Sequence, residues 1–238
     1  MNKLPEIFTG LPEGHFAMKS RYLVEVVENV AELSFRKDKK PLLVITGPSA
    51  GAGKDEIIRG LNSKTFRRIK TVTTRSVVRT DEVDRDPYVR LTSEKFKEQV
   101  AEGAFIEWVE FVGNYYGTRK LEVEEAMLWE NEIPILRLDA RGAWKFSVMC
   151  REETPPFDRV NMITVMVLPP DRHTLWARLM ARDGGDLNTP DIKERMRIVD
   201  EYELGFVREM HFAVLNYENE QLKASKTVEE IVRRYYKI

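Results

Sequence analysis

Short apolar runs alternate with amphipathic stretches along most of the chain. Four apolar runs predict buried strands: LLVIT at 42–46, IPILRLD at 133–139, NMITVMVLP at 161–169 and FAVLN at 212–216. The amphipathic stretches predict helices near 119–131, 142–150, 171–183 and 191–211. Strands that alternate with helices indicate an α/β fold, in which helices cover both faces of a central parallel sheet.

Both ends of the chain carry further helical patterns. Residues 20–35, SRYLVEVVENVAELSF, place apolar residues at helical spacing. We therefore predict an amphipathic helix within an N-terminal extension of residues 1–40. Near the other end, TVEEIVRRYY at 227–236 predicts a helix that starts with a capping box from Thr227 to Glu230.

The region 75–133 interrupts the alternation of strands and helices. KTVTT at 70–74 predicts the second strand of the sheet, and the arginine-rich segment 75–90 after it has no clear period. Beyond that segment come the helical pattern TSEKFKEQVAEG, the alternating run FIEWVEF and the turn GNYYG. We predict that 75–133 is a lobe inserted into a core formed by 41–74 and 134–238.

A glycine-rich segment links the first predicted core strand to a helix. It reads ITGPSAGAGKDEIIRGL at 45–61. Such a turn directs backbone N–H groups and the helix dipole at an anion. Gly47, Gly51 and Gly53 allow the unusual backbone angles of the turn, and Lys54 could reach the outer phosphates of a nucleotide. An ordinary glycine-rich turn between a strand and a helix is the alternative.

This loop departs from the usual phosphate-loop pattern, G-x-x-x-x-G-K followed by Ser or Thr. Pro48 occupies the place of the first glycine, Gly47 comes one residue early, and Asp55 replaces the hydroxyl residue. A bulge at Ala50 could absorb the extra residue. A carboxylate is an oxygen ligand of the kind that Mg²⁺ takes. We therefore predict that Asp55 binds Mg²⁺, directly or through water.

Composition and charge exclude several classes of protein. The net charge of -1 gives no strong field that would favour nucleic acid or a membrane surface. Cys150 is the single cysteine, so an intrachain disulfide is impossible, and a reducing, cytoplasmic location is expected. The first 16 residues contain no apolar run, so we do not expect a signal peptide. No apolar run approaches the roughly 20 residues of a membrane span.

The inserted lobe contains several separated motifs in order. TVTTRSVVRTDEVDRDPY is followed by FIEWVEFVGNYYGT and later by ILRLDARG. This series resembles guanylate kinase from about residue 42 to the C-terminus. One extra residue separates Arg75 from Arg79, and Arg137 stands where the family has the first of two acids.

The resemblance implies roles for individual side chains of the lobe. It implies that guanidinium and phenol groups hold the phosphate of GMP and that Glu107 accepts hydrogen bonds from N1–H and the exocyclic amine of guanine. The implied GMP-binding residues are Thr71, Arg75, Arg79, Glu82, Tyr88, Glu107, Tyr116, Thr118 and Asp139. A solvated charge run and an amphipathic surface are the alternatives for the arginines and the tyrosines.

The resemblance also implies a site for ATP and a lid. The implied ATP-binding residues are Gly47, Ser49, Gly51, Ala52, Gly53, Lys54, Asp55 and Asn216, the last of them against adenine. A lid at about 178–195 would close over ATP and neutralise the transferring phosphoryl group. With Lys54, its arginines form the implied catalytic set: Arg178, Arg182 and Arg195. Helix-surface arginines are the alternative.

Together these features predict a phosphate-loop α/β fold of three layers with an inserted lobe and an arginine-bearing lid. The expected activity is phosphoryl transfer from ATP to GMP with Mg²⁺, with ATP and GMP as partners and without nucleic acid or membrane. Two alternatives stay open. A binding module could keep the GMP site but lack catalysis, and a kinase could use another small phosphate acceptor.

Overall fold

The long apolar runs form neighbouring strands, as their pattern predicts. The computed structural model of the chain describes residues 6–8, 16–19, 26–29, 36–48, 51–78, 83, 86–111, 113–155, 157–183 and 190–237. The strands are β1 (Phe16–Lys19), β2 (Val26–Asn29), β3 (Lys40–Thr46), β4 (Phe66–Arg68), β5 (Thr71–Thr73), β6 (Tyr88–Arg90), β7 (Phe105–Phe111), β8 (Asn114–Arg119), β9 (Ile133–Arg137), β10 (Val160–Leu168) and β11 (Phe212–Leu215).

These strands form two sheets. The main sheet has the order β1-β2-β11-β10-β3-β9-β4, and the smaller sheet has the order β6-β5-β8-β7. In the main sheet the pairs from β11 through β4 are parallel, whereas β1 and β2 form antiparallel pairs. The carboxyl ends of the parallel strands therefore lie along one edge.

Helices cover both faces of the main sheet. The described α-helices are α1 (Lys54–Gly60), α2 (Ser93–Ala101), α3 (Lys120–Met127), α4 (Ala140–Arg151), α5 (Arg172–Asp183), α6 (Pro190–Ile198) and α7 (Gln221–Tyr236). Among them, α2 packs on the smaller sheet, where Phe96 contacts the core of that sheet. Successive residues of β3 enter opposite cores: Leu42 and Val44 pack with α4 and α5, and Leu43 and Ile45 with α1 and α7. This period of two confirms the three-layer arrangement. None of the described helices is long and apolar enough to cross a bilayer.

The predicted helix at residues 20–35 is wrong where the structure describes this segment. Val26–Asn29 is strand β2, which lies between β1 and β11 and pairs with β11 through Val26, Val27 and Glu28. Val26 and Val27 are both buried and enter the two opposite cores of the sheet. The alternation of a strand allows this, and β-branched valines suit a pleated surface. The N-terminal segment therefore extends the main sheet.

The boundary of the inserted lobe also differs from the prediction. Thr71–Thr73 pairs with β6 and β8 in the smaller sheet, so it is not a strand of the main sheet. Phe66–Arg68 pairs with β9 instead. The chain passes from one sheet to the other at Ile69 and Lys70, because the N–H of Ile69 still donates to Ile135. A short apolar strand does not encode which sheet it joins.

The C-terminal third contains two corrections. The predicted helix 191–211 is α6 followed by a π-helical turn at Val199–Glu203 and a 3₁₀ segment at Leu204–Glu209. The predicted capping box is wrong, because α7 begins six residues earlier and Thr227 is fully buried within it.

Asn161 fixes the entry of the chain into β3. Its Oδ1 accepts from the N–H of Arg36 at 3.1 Å, and its Nδ2 donates to the carbonyls of Arg36 and Lys39. The Asn161 side chain is buried at the start of β10, beside the start of β3. The Asn161 amide thus provides hydrogen bonds that water would otherwise provide to three backbone groups just before β3. This strand leads to the glycine-rich loop.

We expect Asn161→Ala to lower the free energy of unfolding by about 1–3 kcal/mol, because it removes a buried amide that partners three partly buried backbone groups. Asn161→Asp should destabilise the fold at least as much, since a carboxylate cannot donate to the two carbonyls. Urea denaturation measures both effects. Asn62→Ala is the matched control, because the Asn62 side chain bonds the N–H of Lys64 at an exposed turn. Equal effects at both positions would contradict this role for Asn161.

Candidate functional site

The glycine-rich loop leaves the carboxyl edge of the main sheet between β3 and α1. Gly47 lies so close to β10 that a Cβ there would be 2.4 Å from the carbonyl oxygen of Val167. Gly53 has a φ of +82°, and a Cβ there would be 2.2 Å from Nδ2 of Asn216. Both positions therefore require glycine. Ser49 and Ala50 lie outside the described residues, so the predicted bulge and the role of Ser49 stay predictions.

Lys54 is the first residue of α1, and its side chain turns back into the loop. Its Nζ donates to the carbonyl of Gly47 at 3.0 Å and to that of Pro48. The side chain is only 6% exposed, which is rare for a lysine. A buried ammonium at the start of a helix creates a strongly positive point, which suits an anionic ligand.

Two elements hold the loop from outside. Arg178 of α5 donates to the carbonyls of Gly51, at 3.4 Å, and Asn216, at 3.0 Å. Asn216 follows β11, and its Nδ2 donates to the carbonyl of Ala52 at 2.9 Å. The Asn216 side chain is fully buried beneath the loop and stabilises the shape of the loop. Its predicted contact with adenine stays a prediction.

Asp55 lies between two arginines. Its Oδ1 is 2.7 Å from Nη1 of Arg68 and 3.3 Å from Nε of Arg137. Burial alone would raise the pKa of the Asp55 carboxyl, but the charges of Arg137 and Arg68 outweigh burial and hold the pKa well below its usual range. The side chain is thus ionised and already paired with cations.

This arrangement does not fit the prediction that Asp55 binds Mg²⁺ directly. A dication at the carboxylate would face two guanidinium groups, and like charges at this distance repel. Within the parts of the chain that the structure describes, no group of three or more His, Cys, Asp or Glu side chains could hold a metal ion. The acidic residue after the lysine is therefore explained by its ion pairs.

A ring of basic and aromatic side chains surrounds Tyr88, the first residue of β6. Nη1 of Arg137 donates to the Tyr88 hydroxyl at 3.1 Å. The guanidinium carbons of Arg75 and Arg90 lie 5.6 and 5.7 Å from the centre of the Tyr88 ring. The ring of Tyr116 meets that of Tyr88 edge-on, with the centres 6.3 Å apart. Guanidinium and phenol donors in this grouping suit a phosphate dianion.

Arg79 and Glu82 lie outside the described residues, so their predicted roles stay predictions. Arg68 and Arg90 belong to the site but were missed from the sequence. Arg90 donates to Asp86, with an Nε–Oδ2 distance of 2.7 Å, and to the carbonyl of Arg75. The spacing of Asp86 and Arg90 by four residues was the one available signal, and for Arg68 there was none.

Glu107 and Thr118 lie opposite each other on β7 and β8. The Thr118 hydroxyl donates to Oε1 of Glu107 at 2.7 Å. Burial, and then the negative charge of Asp139, raise the pKa of the Glu107 carboxyl to about 7. Asp139 caps α4, where its Oδ1 accepts from the N–H of Gly142 at 2.6 Å. Thr71 is buried at the start of β5, which pairs with β8.

The predicted lid arginines occupy different surroundings. Arg178 lies against the glycine-rich loop, as described above. Arg195 of α6 lies over Phe111 at the end of β7, with its guanidinium carbon 5.3 Å from the ring centre. The side chain of Arg182 lies outside the described residues. One predicted lid arginine therefore contacts the loop, and another contacts the inserted lobe.

Comparison with known proteins relates this chain to one family. The family described as guanylate kinase matches residues 39–235. A guanylate kinase of Clostridium perfringens strain SM101 is 35% identical over 200 residues, which is 83% of this chain and 84% of the relative. A guanylate kinase of Prochlorococcus marinus strain MIT 9312 is 31% identical over 183 residues, covering 76% of this chain and 91% of that protein.

A solved structure shows the same fold. The crystal structure of guanylate kinase from Anaplasma phagocytophilum superposes with a TM-score of 0.53 at 19% identity, and the match covers 83% of this chain and 86% of that one. At this identity the likeness concerns the fold alone. The family match, in contrast, spans most of the sequence, from the residue before β3 to the end of α7. The chain therefore belongs to the guanylate kinase family.

Proposed function

We propose that this chain transfers a phosphoryl group from ATP to GMP, giving ADP and GDP, between the glycine-rich loop and the inserted lobe. One observation supports this assignment most directly. Arg137 contacts Asp55 beside the loop at 3.3 Å and Tyr88 of the lobe at 3.1 Å, so one side chain spans the two regions. Two phosphate sites on either side of Arg137 would bring donor and acceptor close enough for transfer.

In this proposal the loop binds ATP. Backbone N–H groups of the loop and the Lys54 ammonium receive its phosphates, and Lys54 exchanges its carbonyl partners for phosphate oxygens. Arg178, Arg182 and Arg195 neutralise the charge that spreads over the transferring group. Mg²⁺ would supply neutralisation of charge on the ATP phosphates, and Asp55, which is already paired with two arginines, would not bind it directly.

The lobe binds GMP. The acceptor phosphate lies among four donors, Arg75, Arg79, Tyr88 and Tyr116. Glu107 accepts hydrogen bonds from N1–H and the amine of guanine, and the base site is completed by Thr71, Thr118 and Asp139. Glu82 also binds GMP. The acceptor phosphate is already ionised at neutral pH, so a strong general base is unnecessary. Catalysis then consists of positioning and charge neutralisation.

Asp55 favours one competing candidate, a module that binds GMP without transferring phosphate. Its carboxylate is held in two ion pairs where the usual loop has a hydroxyl residue. Formation of ADP with and without GMP distinguishes the candidates. GMP-dependent ADP formation supports the kinase, whereas GMP binding without ADP formation supports the module. A panel of other phosphate acceptors tests the substrate assignment.

We expect Lys54→Ala to lower kcat at saturating ATP and GMP by about 10²–10³-fold, because it removes a charge that stabilises the transferring phosphoryl group. The coupled ADP assay measures this change. Lys223→Ala is the control, since Lys223 is an exposed residue of α7. Thermal melting of both variants reports any loss of folding, because Lys54 also bonds loop carbonyls. An unchanged kcat would place the donor phosphates elsewhere.

Guanine and adenine should be distinguished mainly by Glu107. Adenine presents a lone pair at N1 and no amine at C2, so it would leave a buried carboxylate without its partners. We expect kcat/KM for GMP to exceed that for AMP by about 10⁴-fold. Glu107→Gln should raise the KM for GMP sharply and leave the KM for ATP nearly unchanged, and Thr118→Val should act more weakly.

Glu110→Gln is the matched control, because Glu110 lies exposed on the same strand. Its KM values for ATP and GMP should equal those of the unaltered protein. A Glu107→Gln variant that keeps full preference for GMP would refute the guanine assignment.

The raised pKa of Glu107, about 7, predicts a pH dependence of guanine binding. Only the ionised carboxylate accepts both donors of guanine, and its ionised fraction rises from about 0.1 at pH 6 to about 0.9 at pH 8. Affinity for guanosine should therefore increase by up to about tenfold over this interval. Guanosine is the appropriate probe, since the phosphate of GMP itself titrates near pH 6. Titration calorimetry of Glu107→Gln should show a flat profile, and a pH-dependent profile in that variant would contradict the assignment.

A further inference from the structure

Arg137 occupies a place that the motifs of the family do not explain. It ends β9, directly beside Ile45 of β3, the strand that leads into the glycine-rich loop. The family has an acid at this position, so a guanidinium group reverses the charge at the edge of the sheet. The Arg137 side chain is only 19% exposed and is therefore fixed within the site.

The two ends of the Arg137 guanidinium have different partners. Nε faces Oδ1 of Asp55 at 3.3 Å, and Nη1 donates to the hydroxyl oxygen of Tyr88 at 3.1 Å. A phenol has one proton to donate. Because its oxygen accepts from Arg137, that proton remains available to a further acceptor, and Arg75 and Tyr116 lie next to the same Tyr88 ring.

Charge balance with Asp55 does not account for this arrangement. Asp55 already has a shorter ion pair with Arg68, at 2.7 Å. One carboxylate carries one negative charge, so Arg68 and Arg137 together bring more positive charge than Asp55 supplies negative. Balancing the charge of Asp55 also does not explain why Arg137 donates a hydrogen bond to the Tyr88 hydroxyl.

We propose that Arg137, oriented by Asp55, binds the phosphate of the acceptor nucleotide together with Tyr88. This inference rests on the proposed GMP site and adds a phosphate-binding residue to it. Asp55 then positions Arg137, because the ion pair at Nε keeps Nη1 next to the Tyr88 hydroxyl, beside the proposed acceptor phosphate. A planar guanidinium fork matches two phosphate oxygens, and charge-assisted hydrogen bonds of this kind are among the strongest in proteins.

Binding of GMP and of guanosine to the ligand-free protein tests the proposal. Guanosine has the base and the ribose but no phosphate. We expect Arg137→Met to raise the Kd for GMP about tenfold to a hundredfold, the effect of one lost charge-assisted hydrogen bond, and to leave the Kd for guanosine within about twofold. Arg137→Lys keeps the charge without the fork and should lie between the two proteins. Arg159→Met is the control, since Arg159 is exposed ahead of β10, at the opposite edge of the sheet.

The background variant Asp55→Asn separates phosphate binding from charge balance. If Arg137 only balances Asp55, Arg137→Met will have no effect on GMP affinity once Asp55 is neutral, and the proposal is overturned. If Arg137 binds phosphate, the loss persists in the Asp55→Asn background. Unchanged guanosine binding in each variant shows that the site has folded, and equal weakening of GMP and guanosine would also overturn the proposal.

The same titrations show which proposal fails. If the unaltered protein binds GMP no better than guanosine, the acceptor site is wrongly assigned, and the proposed role of Arg137 is refuted as well. If the unaltered protein prefers GMP and Arg137→Met keeps that preference, the acceptor site stands and only the role of Arg137 is refuted.

Discussion

The parallel pairing of β3 with β9 and β10 is the constraint on which the site depends. Parallel strands end at one edge of a sheet, so the loop after β3, Arg137 at the end of β9 and Asn216 after β11 all meet there. Ligands of open α/β sheets bind outside the carboxyl ends of the strands for the same reason. Hydrogen bonds and packing of the core thus decide the positions of groups that are far apart in sequence.

Positive charge at this edge and in the inserted lobe is paired with specific carboxylates and backbone carbonyls. The Lys54 ammonium bonds loop carbonyls, Asp55 pairs with Arg68 and Arg137, and Asp86 pairs with Arg90. Partly buried cations need such partners, because an uncompensated charge in a region of low dielectric is costly. The same partners fix the orientation of each cation. The hydrogen-bond donors for a phosphate are therefore already ordered before it binds. Because of this preorganisation, little binding free energy is lost in ordering them.

Asp55 and Arg137 illustrate how two departures from a family pattern explain each other. Taken singly, an acid beside the phosphate loop and an arginine in place of an acid both weaken the expected site. In the structure they contact each other at 3.3 Å, so the negative charge gained at one position meets the positive charge gained at the other. Glu107 differs from Asp55, because burial and the nearby charge of Asp139 raise the pKa of its carboxyl to about 7. This carboxyl can accept both donors of guanine only in its ionised form.

The sequence by itself determined the strands of the core, the glycine-rich turn, Lys54 and the order of motifs in the lobe. Each of these is a local pattern: a run of apolar residues, a set of permissive glycines, or a fixed spacing of side chains. The tertiary structure alone decided the rest. The pattern around Val26 and Val27 predicts a helix, but in the structure these residues pair with β11 and enter opposite cores of the sheet. Thr71–Thr73 could have joined either sheet, and the ion pairs of Asp55 with Arg68 and Arg137 join residues 13 and 82 positions apart. Such contacts depend on which strands become neighbours, and that is decided by the packing of the whole core.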